Sequence, residues 1–292
     1  MADDSVRPAW SEQFAAQAIQ QLFHNGPIAD LTPEWAFGGS TGKGVRVAVV
    51  DSGVEYDHPA VGNSVRGGVV VEFDEEAENS IRYEPDDQPG DLAGHGTACA
   101  GIIHSLAPQA EIYSVRVLGS NMHGRAIQFA GGLDWAIENN IQVVNLSLST
   151  SKEEYFSLFH DLADQAYFKN MNVICAVNNY PEASFPSLYS SVISVAAHEG
   201  LDPFTYYYNP SPPVEFGAPG IDIDVAWNNK QYVNSTGNSF AAPHITGIVA
   251  LMRAKHPELT PFQVKTVLLA CASNMQRKDV KLKQRKIHQN GN

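Results

Sequence analysis

Near-continuous apolar runs, mostly β-branched, recur along the chain at 45–50, 69–73, 112–117, 143–148, 173–177 and 192–196. A strand without polar alternation is buried on both faces, as in a parallel sheet covered by helices. Between these runs the spacing becomes helical. Ile127, Ala130, Leu133 and Ile137 share one face of a helix expected over 126–139, and another is expected over 158–168. Two further helices are expected at 239–255 and 260–270, the second opened by Thr260-Pro261, an N-cap and a first-turn proline. Strand and helix in alternation predict an α/β fold, a single doubly wound domain whose mostly parallel central sheet is flanked by helices.

The same pattern sets the organisation. Residues 30–274 form the expected domain, with no second domain, repeat or low-complexity tract. An N-terminal extension, 1–29, carries one amphipathic candidate helix at 11–23. A C-terminal tail, 275–292, is locally basic from Arg277 to Lys286 and reads as a flexible, solvated end. The stretch 74–94 is rich in acid, proline and glycine and is expected to be an irregular surface loop.

Composition narrows the function classes. With 292 residues and 43% hydrophobic residues the chain can bury a sizeable core. A formal charge of -13 works against nucleic-acid binding. No apolar run is long enough to span a bilayer, so no membrane partner is expected. Cys99, Cys175 and Cys271 lie far apart and form no CxxC pair, which argues against a disulfide framework and a zinc ribbon. The opening MADDSVRPAW is acidic and polar where a secretory signal is basic and then apolar. The expected location is the cytoplasm, or outside the cell if the sequence is a trimmed mature form.

Three local motifs carry candidate chemistry. In VAVVDSGV, Asp51 ends an apolar strand, where open α/β sheets place their sites, although an Asp there also serves as a turn cap. In GHGTACAG, His95 lies between two glycines and opens a small-residue helix, as either a reactive or a capping side chain. In STGNSFAAPHITG, Ser239 precedes an apolar helix, as an N-cap or as a serine beside free backbone amides that favour negative charge. His58, His104, His123 and His244 have no comparable setting. Together the motifs supply a carboxylate, a base and a nucleophile in the order Asp, His, Ser, the order known from subtilisin.

The segments DSGV, GHGTACAG and GNSFAAPH resemble the three signature segments of the subtilase family of serine peptidases. The likeness continues through 115–149, similar to the family's substrate-binding strand, helix and S1 wall, and through FGAPG at 216–220. It covers about 30–272. The resemblance implies a serine endopeptidase acting on proteins or peptides, with Asp51, His95 and Ser239 as the triad. It implies Asn179, in ICAVNN, as an oxyanion-stabilising amide, and Gly124, Ser147, Leu148, Ser149 and Asn178 as substrate-binding positions. The adjacent Asn178 leaves open which asparagine faces the site.

Departures from the family pattern bear on specificity. Asn238 stands where a threonine is usual, Asn178 where a glycine is usual, and Ser149-Thr150 where two glycines are common. Only residues 102–106 separate GHGTACAG from the next family segment, too few for the loop that helps bind calcium in secreted bacterial members. No cofactor is expected, although Asp86, Asp87 and Asp91 offer oxygen ligands without a recognisable spacing. Cys99, four residues beyond His95, is either a packing residue or a thiol beside the imidazole. Too few residues precede Asp51 for the family's N-terminal propeptide, so the expectation is either that the enzyme folds unaided or that the propeptide has been cut away. Limited processing of a precursor or leader peptide and general turnover are both open. The competing functions are a catalytically silent scaffold and an acyl-transferring ligase or macrocyclase.

Overall fold

A computed structural model describes residues 31–77, 80–86 and 90–275. The chain divides into two units, Met1–Leu31 and Thr32–Asn292, and everything below concerns the second. The candidate helix at 11–23, the tail from 276 onward and Asp87 lie outside the described residues.

The expected apolar runs become β1 (Arg46–Asp51), β2 (Val65–Phe73), β4 (Glu111–Arg116), β5 (Val143–Leu146), β6 (Asn172–Ala176) and β7 (Ile193–His198). With β3 (Ile81–Pro85), β8 (Tyr207–Tyr208) and β9 (Phe216–Pro219) they form one sheet in the order β3-β2-β4-β1-β5-β6-β7-β9-β8. All neighbours are parallel except the two outermost pairs, β3 with β2 and β8 with β9. A two-stranded ribbon, β10 (Ile223–Trp227) and β11 (Gln231–Ser235), stands apart.

Helix α1 (Pro33–Phe37) opens the unit and is followed by α2 (His95–Leu106), α3 (Ala126–Glu138), α4 (Phe156–Phe168), α5 (Asn238–Lys255) and α6 (Pro261–Cys271). Leu133 and Ile137 of α3 and Phe159 and Leu162 of α4 pack with Ala48 and Val50 of β1 and Val69 and Val71 of β2 in one cluster. Alternation along β1 leaves the equally buried Val47 and Val49 for the opposite face, where α2 and α5 pack against each other and the sheet. The helix at 260–270 forms as Pro261–Cys271, with Thr260 Oγ1 accepting from Gln263 N at 3.3 Å and Gln263 Oε1 accepting from Thr260 N at 2.8 Å.

The irregular loop expected over 74–94 is partly wrong, since β3 lies within it and pairs antiparallel with β2. An edge strand has one flank in water and needs little apolar surface. Only Ile81 of β3 packs on the core, Tyr83 hydrogen-bonds Asp134, and Arg82 faces out to Glu72, Asp74 and Glu84. No helix among the described residues is long and apolar enough to cross a membrane.

Candidate active site

β1 separates β2, β3 and β4 on one side from β5, β6 and β7 on the other, so its carboxyl end lies at the switch point where open α/β sheets leave a crevice. Asp51 occupies that end and is fully buried. Its Oδ1 accepts from Ser52 N at 2.7 Å and lies 3.1 Å from Ser52 Oγ, and a buried carboxylate needs donors of this kind. Both carboxylate oxygens stand 2.9 Å from His95 Nδ1.

His95 begins α2, preceded by Gly94 in the left-handed region at φ 98°. A Cβ on Gly94 would lie 2.6 Å from the Trp227 ring, so only glycine fits that turn. Nothing on Gly94 caps the helix. Asp91 does so from three residues upstream, accepting from Gly94 N at 2.7 Å and from Thr97 N and Thr97 Oγ1 at 2.7 Å each. Asp91 also accepts from Ser52 Oγ at 2.7 Å, so one side chain ties the helix carrying the imidazole to the strand carrying Asp51.

The ionised Asp51 can only accept, so it fixes the proton of neutral His95 on Nδ1 and leaves Nε2 as an acceptor. Nε2 lies 2.8 Å from Ser239 Oγ. Burial disfavours the imidazolium, but the Asp51 charge, aided by Cys99 and the hydrogen bonds, prevails and holds His95 well above the usual imidazole range.

Ser239 lies in the first turn of α5. Pro243, four residues on, has no N–H, so the Ser239 carbonyl lacks the usual intrahelical donor. Ser147 Oγ supplies one at 2.8 Å. Ser147 in turn accepts from Asn145 Nδ2 at 2.9 Å, and Asn145 Oδ1 accepts from Thr246 Oγ1 at 3.0 Å. This chain anchors the serine turn to the carboxyl end of β5 and to the body of its own helix.

Asn238 holds the turn from the other side. Its Nδ2 donates to the carbonyls of Val177 and Asn178 at 3.2 and 3.0 Å, and its Oδ1 accepts from Ala197 N at 2.9 Å. The Asn238 backbone N–H donates to Asn179 Oδ1 at 2.9 Å. With its oxygen occupied, the Asn179 amide has its NH₂ free to donate. Asn178 differs, because its Oδ1 accepts from Tyr180 N at 3.0 Å and closes the local turn.

Ser147, Leu148, Ser149, Asn178, Asn179 and Ser239 line one pocket of about 230 Å³. Gly124 lies outside that set and lines a neighbouring pocket of about 520 Å³, with Ser149, Met122 and Phe129 common to both. Thr150, which lines the second pocket next to Ser149, is held to Phe185 by two backbone hydrogen bonds of 3.0 and 2.8 Å.

Cys99 meets both expectations set for it. Fully buried, it places Sγ 3.9 Å from His95 Nδ1, 3.8 Å from Asp51 Oδ2 and 3.3 Å from Ser147 Oγ, and burial pushes its thiol up. Asp51, His95 and Cys99 make up the one metal-ligand-type grouping found among the described residues. The acidic candidates have protein partners: Asp86 meets Tyr56 and Arg116, and Asp91 caps α2. The roles of Asp91, Asn145, Asn238 and Thr246 were not anticipated. Only Asp91 carried a signal, as an N-cap residue type shortly before a helix.

Comparison with known proteins agrees with this architecture. The model of the subtilase family matches residues 42–286. The chain is 31% identical over 239 residues to minor extracellular protease Epr of Bacillus subtilis (strain 168), covering 78% of this chain and 35% of that protein. It is 32% identical to a thermostable alkaline protease of Halalkalibacterium halodurans, covering 78% of this chain and 62% of that one. It thus spans less than two thirds of either relative. With subtilisin BL of Lederbergia lenta it is 30% identical over 248 residues, covering 81% of this chain and 86% of that relative. The crystal structure of a cold-adapted subtilisin-like serine proteinase superposes with a TM-score of 0.64 at 23% identity, covering 81% of this chain and 87% of that one, and so shares the fold. On the family match and these identities, the chain belongs to the subtilase family.

Proposed function

We propose that this protein is a serine endopeptidase in which Asp51, His95 and Ser239 act as a catalytic triad on protein or peptide substrates. The observation that carries the proposal is the continuous hydrogen-bond path from Asp51 through both nitrogens of His95 to Ser239 Oγ, with contacts of 2.9 and 2.8 Å. Ser239 Oγ attacks the scissile carbonyl as Nε2 takes its proton, and the imidazolium formed is stabilised by Asp51. The Asn179 NH₂ and the Ser239 backbone N–H donate to the developing oxyanion. Collapse of the tetrahedral species, with His95 returning its proton to the leaving amine, gives an acyl-enzyme that water hydrolyses by the same steps.

The pocket beside Ser239 receives the side chain next to the scissile bond. It has no charged lining residue, and Ser149 lines it where the resemblance has a glycine, with Thr150, at the second such position, lining the neighbouring pocket. Added side chains on a pinned wall favour a restricted choice of substrate, and limited processing of a precursor fits that better than general turnover. The decisive experiment is labelling with a fluorophosphonate, locating the adduct by peptide mass spectrometry in wild type and in Ser239→Ala. Labelling at Ser239 that disappears in the variant is expected. A folded wild type that takes no label would overturn the triad.

A further inference from the structure

The pocket next to the Ser239 pocket differs from it in charge. Its rim carries Arg125 and Lys152, both exposed, and no carboxylate is among its lining residues. The Arg125 guanidinium is held 3.7 Å over the Phe73 ring, a cation–π contact that fixes its position without neutralising it. Neither cation forms an ion pair among the described residues. Arg82, Arg116, Lys169, Lys230 and Lys265 meet carboxylates, whereas these two stand together at one pocket with their charge uncompensated by its lining.

The two pockets are continuous through Met122, Phe129 and Ser149. A peptide whose carbonyl lies at Ser239 and whose side chain fills the first pocket therefore has a route past Ser149 into the second. The geometry points to the second pocket as an acid-selecting subsite, which takes an aspartate or glutamate a few residues from the scissile bond through Arg125 and Lys152. Against a net charge of -13 that repels acidic peptides, two cations within reach of a bound peptide define where its carboxylate is accepted and set the register of cleavage. This inference rests on the peptidase reading and deepens it.

The test uses the full chain and quenched peptides that carry Glu, Gln or Lys in turn at each position flanking the cut. Exposed charge pairs lead us to expect a roughly three- to tenfold preference in kcat/KM for Glu over Gln at one position, and a larger one over Lys, both shrinking in high salt. R125Q/K152Q should bring the Glu-to-Gln ratio toward one, and R125E/K152E should invert the order of Glu and Lys. Because each ratio is internal to one variant, partial unfolding does not imitate the result. In parallel, fluorescence anisotropy of the labelled Glu and Lys peptides on Ser239→Ala reads the subsite without chemistry. Failure of fluorophosphonate labelling would sink the peptidase reading, while these binding ratios would still decide the subsite. Equal binding and cleavage of Glu and Lys peptides at every position, or a Glu preference that survives R125E/K152E, would overturn the inference.

Discussion

His95 and His244 are equally hidden, each 7% exposed, yet their surroundings drive their protonation in opposite directions. His244 sits within α5 with Nδ1 3.0 Å from the Phe240 carbonyl. Burial dominates there, outweighing that hydrogen bond and joined by repulsion from His198, and pushes the imidazole down to about 4. His95 meets the same opposition from burial, but Asp51 outweighs it. Depth in the protein therefore does not decide which histidine holds a proton near neutrality. The carboxylate at the end of β1 does, because an opposite charge in a dry site acts with little screening.

Asp51→Asn tests this contrast most severely. Asparagine keeps the shape but removes the charge, so activity should fall on the order of 10⁴-fold at neutral pH. In the proposed mechanism the working base is the neutral imidazole, so activity should rise with pH as His95 loses its proton. With its supporting charge gone, that rise should move to lower pH, toward the behaviour of His244. A profile of kcat/KM against pH checks it, and an unmoved acid limb would contradict the role given to Asp51.

Asn179→Ala separates rate from charge. It removes the proposed oxyanion donor without touching either imidazole, so kcat should fall roughly 10²- to 10³-fold while the acid limb stays in place. A shifted limb would mean that Asn179 acts on the histidine instead.

The smallest effect is on stability. His244 has its folded-state pKa depressed from about 6.5 to about 4, so the unfolded chain takes up that proton first. Stability is then lost as pH falls from about 6.5 toward 4, by about 3 kcal/mol in all. His95 has the opposite sign: its raised pKa stabilises the fold below about pH 6.5, and that contribution is lost as pH rises through the folded-state value. Urea midpoints at pH 7.5 and 4.5 should show a shallower acid loss for His244→Leu than for wild type. An equal loss in both would remove His244 as the source.

Much of this contrast was hidden in the sequence. His95 stood out because its neighbours are glycines in a recognisable segment, and His244 was set aside because its neighbours are ordinary. What sets the two apart in the structure is Asp51, 44 residues from His95 along the chain. The choice between Asn178 and Asn179 was open for the same reason. It depends on Asn238, whose backbone N–H reaches Asn179 across 59 residues of sequence. β3 escaped notice because an edge strand buries one flank and keeps a polar composition.

What the sequence determined by itself is the part governed by near neighbours. Apolar runs of strand length, helical spacing in 126–139, the Thr260-Pro261 cap and the three reactive segments each answer to a few adjacent residues. Only the tertiary structure decided that Asp51, His95 and Ser239 meet. It also decided that Ser147 replaces the donor Pro243 cannot provide, and that Arg125 and Lys152 overlook a pocket with no carboxylate. These outcomes depend on parallel register and on helices packed across the sheet. Contacts of about 3 Å between distant segments are set by how whole elements stack, and no local pattern of residues encodes that distance.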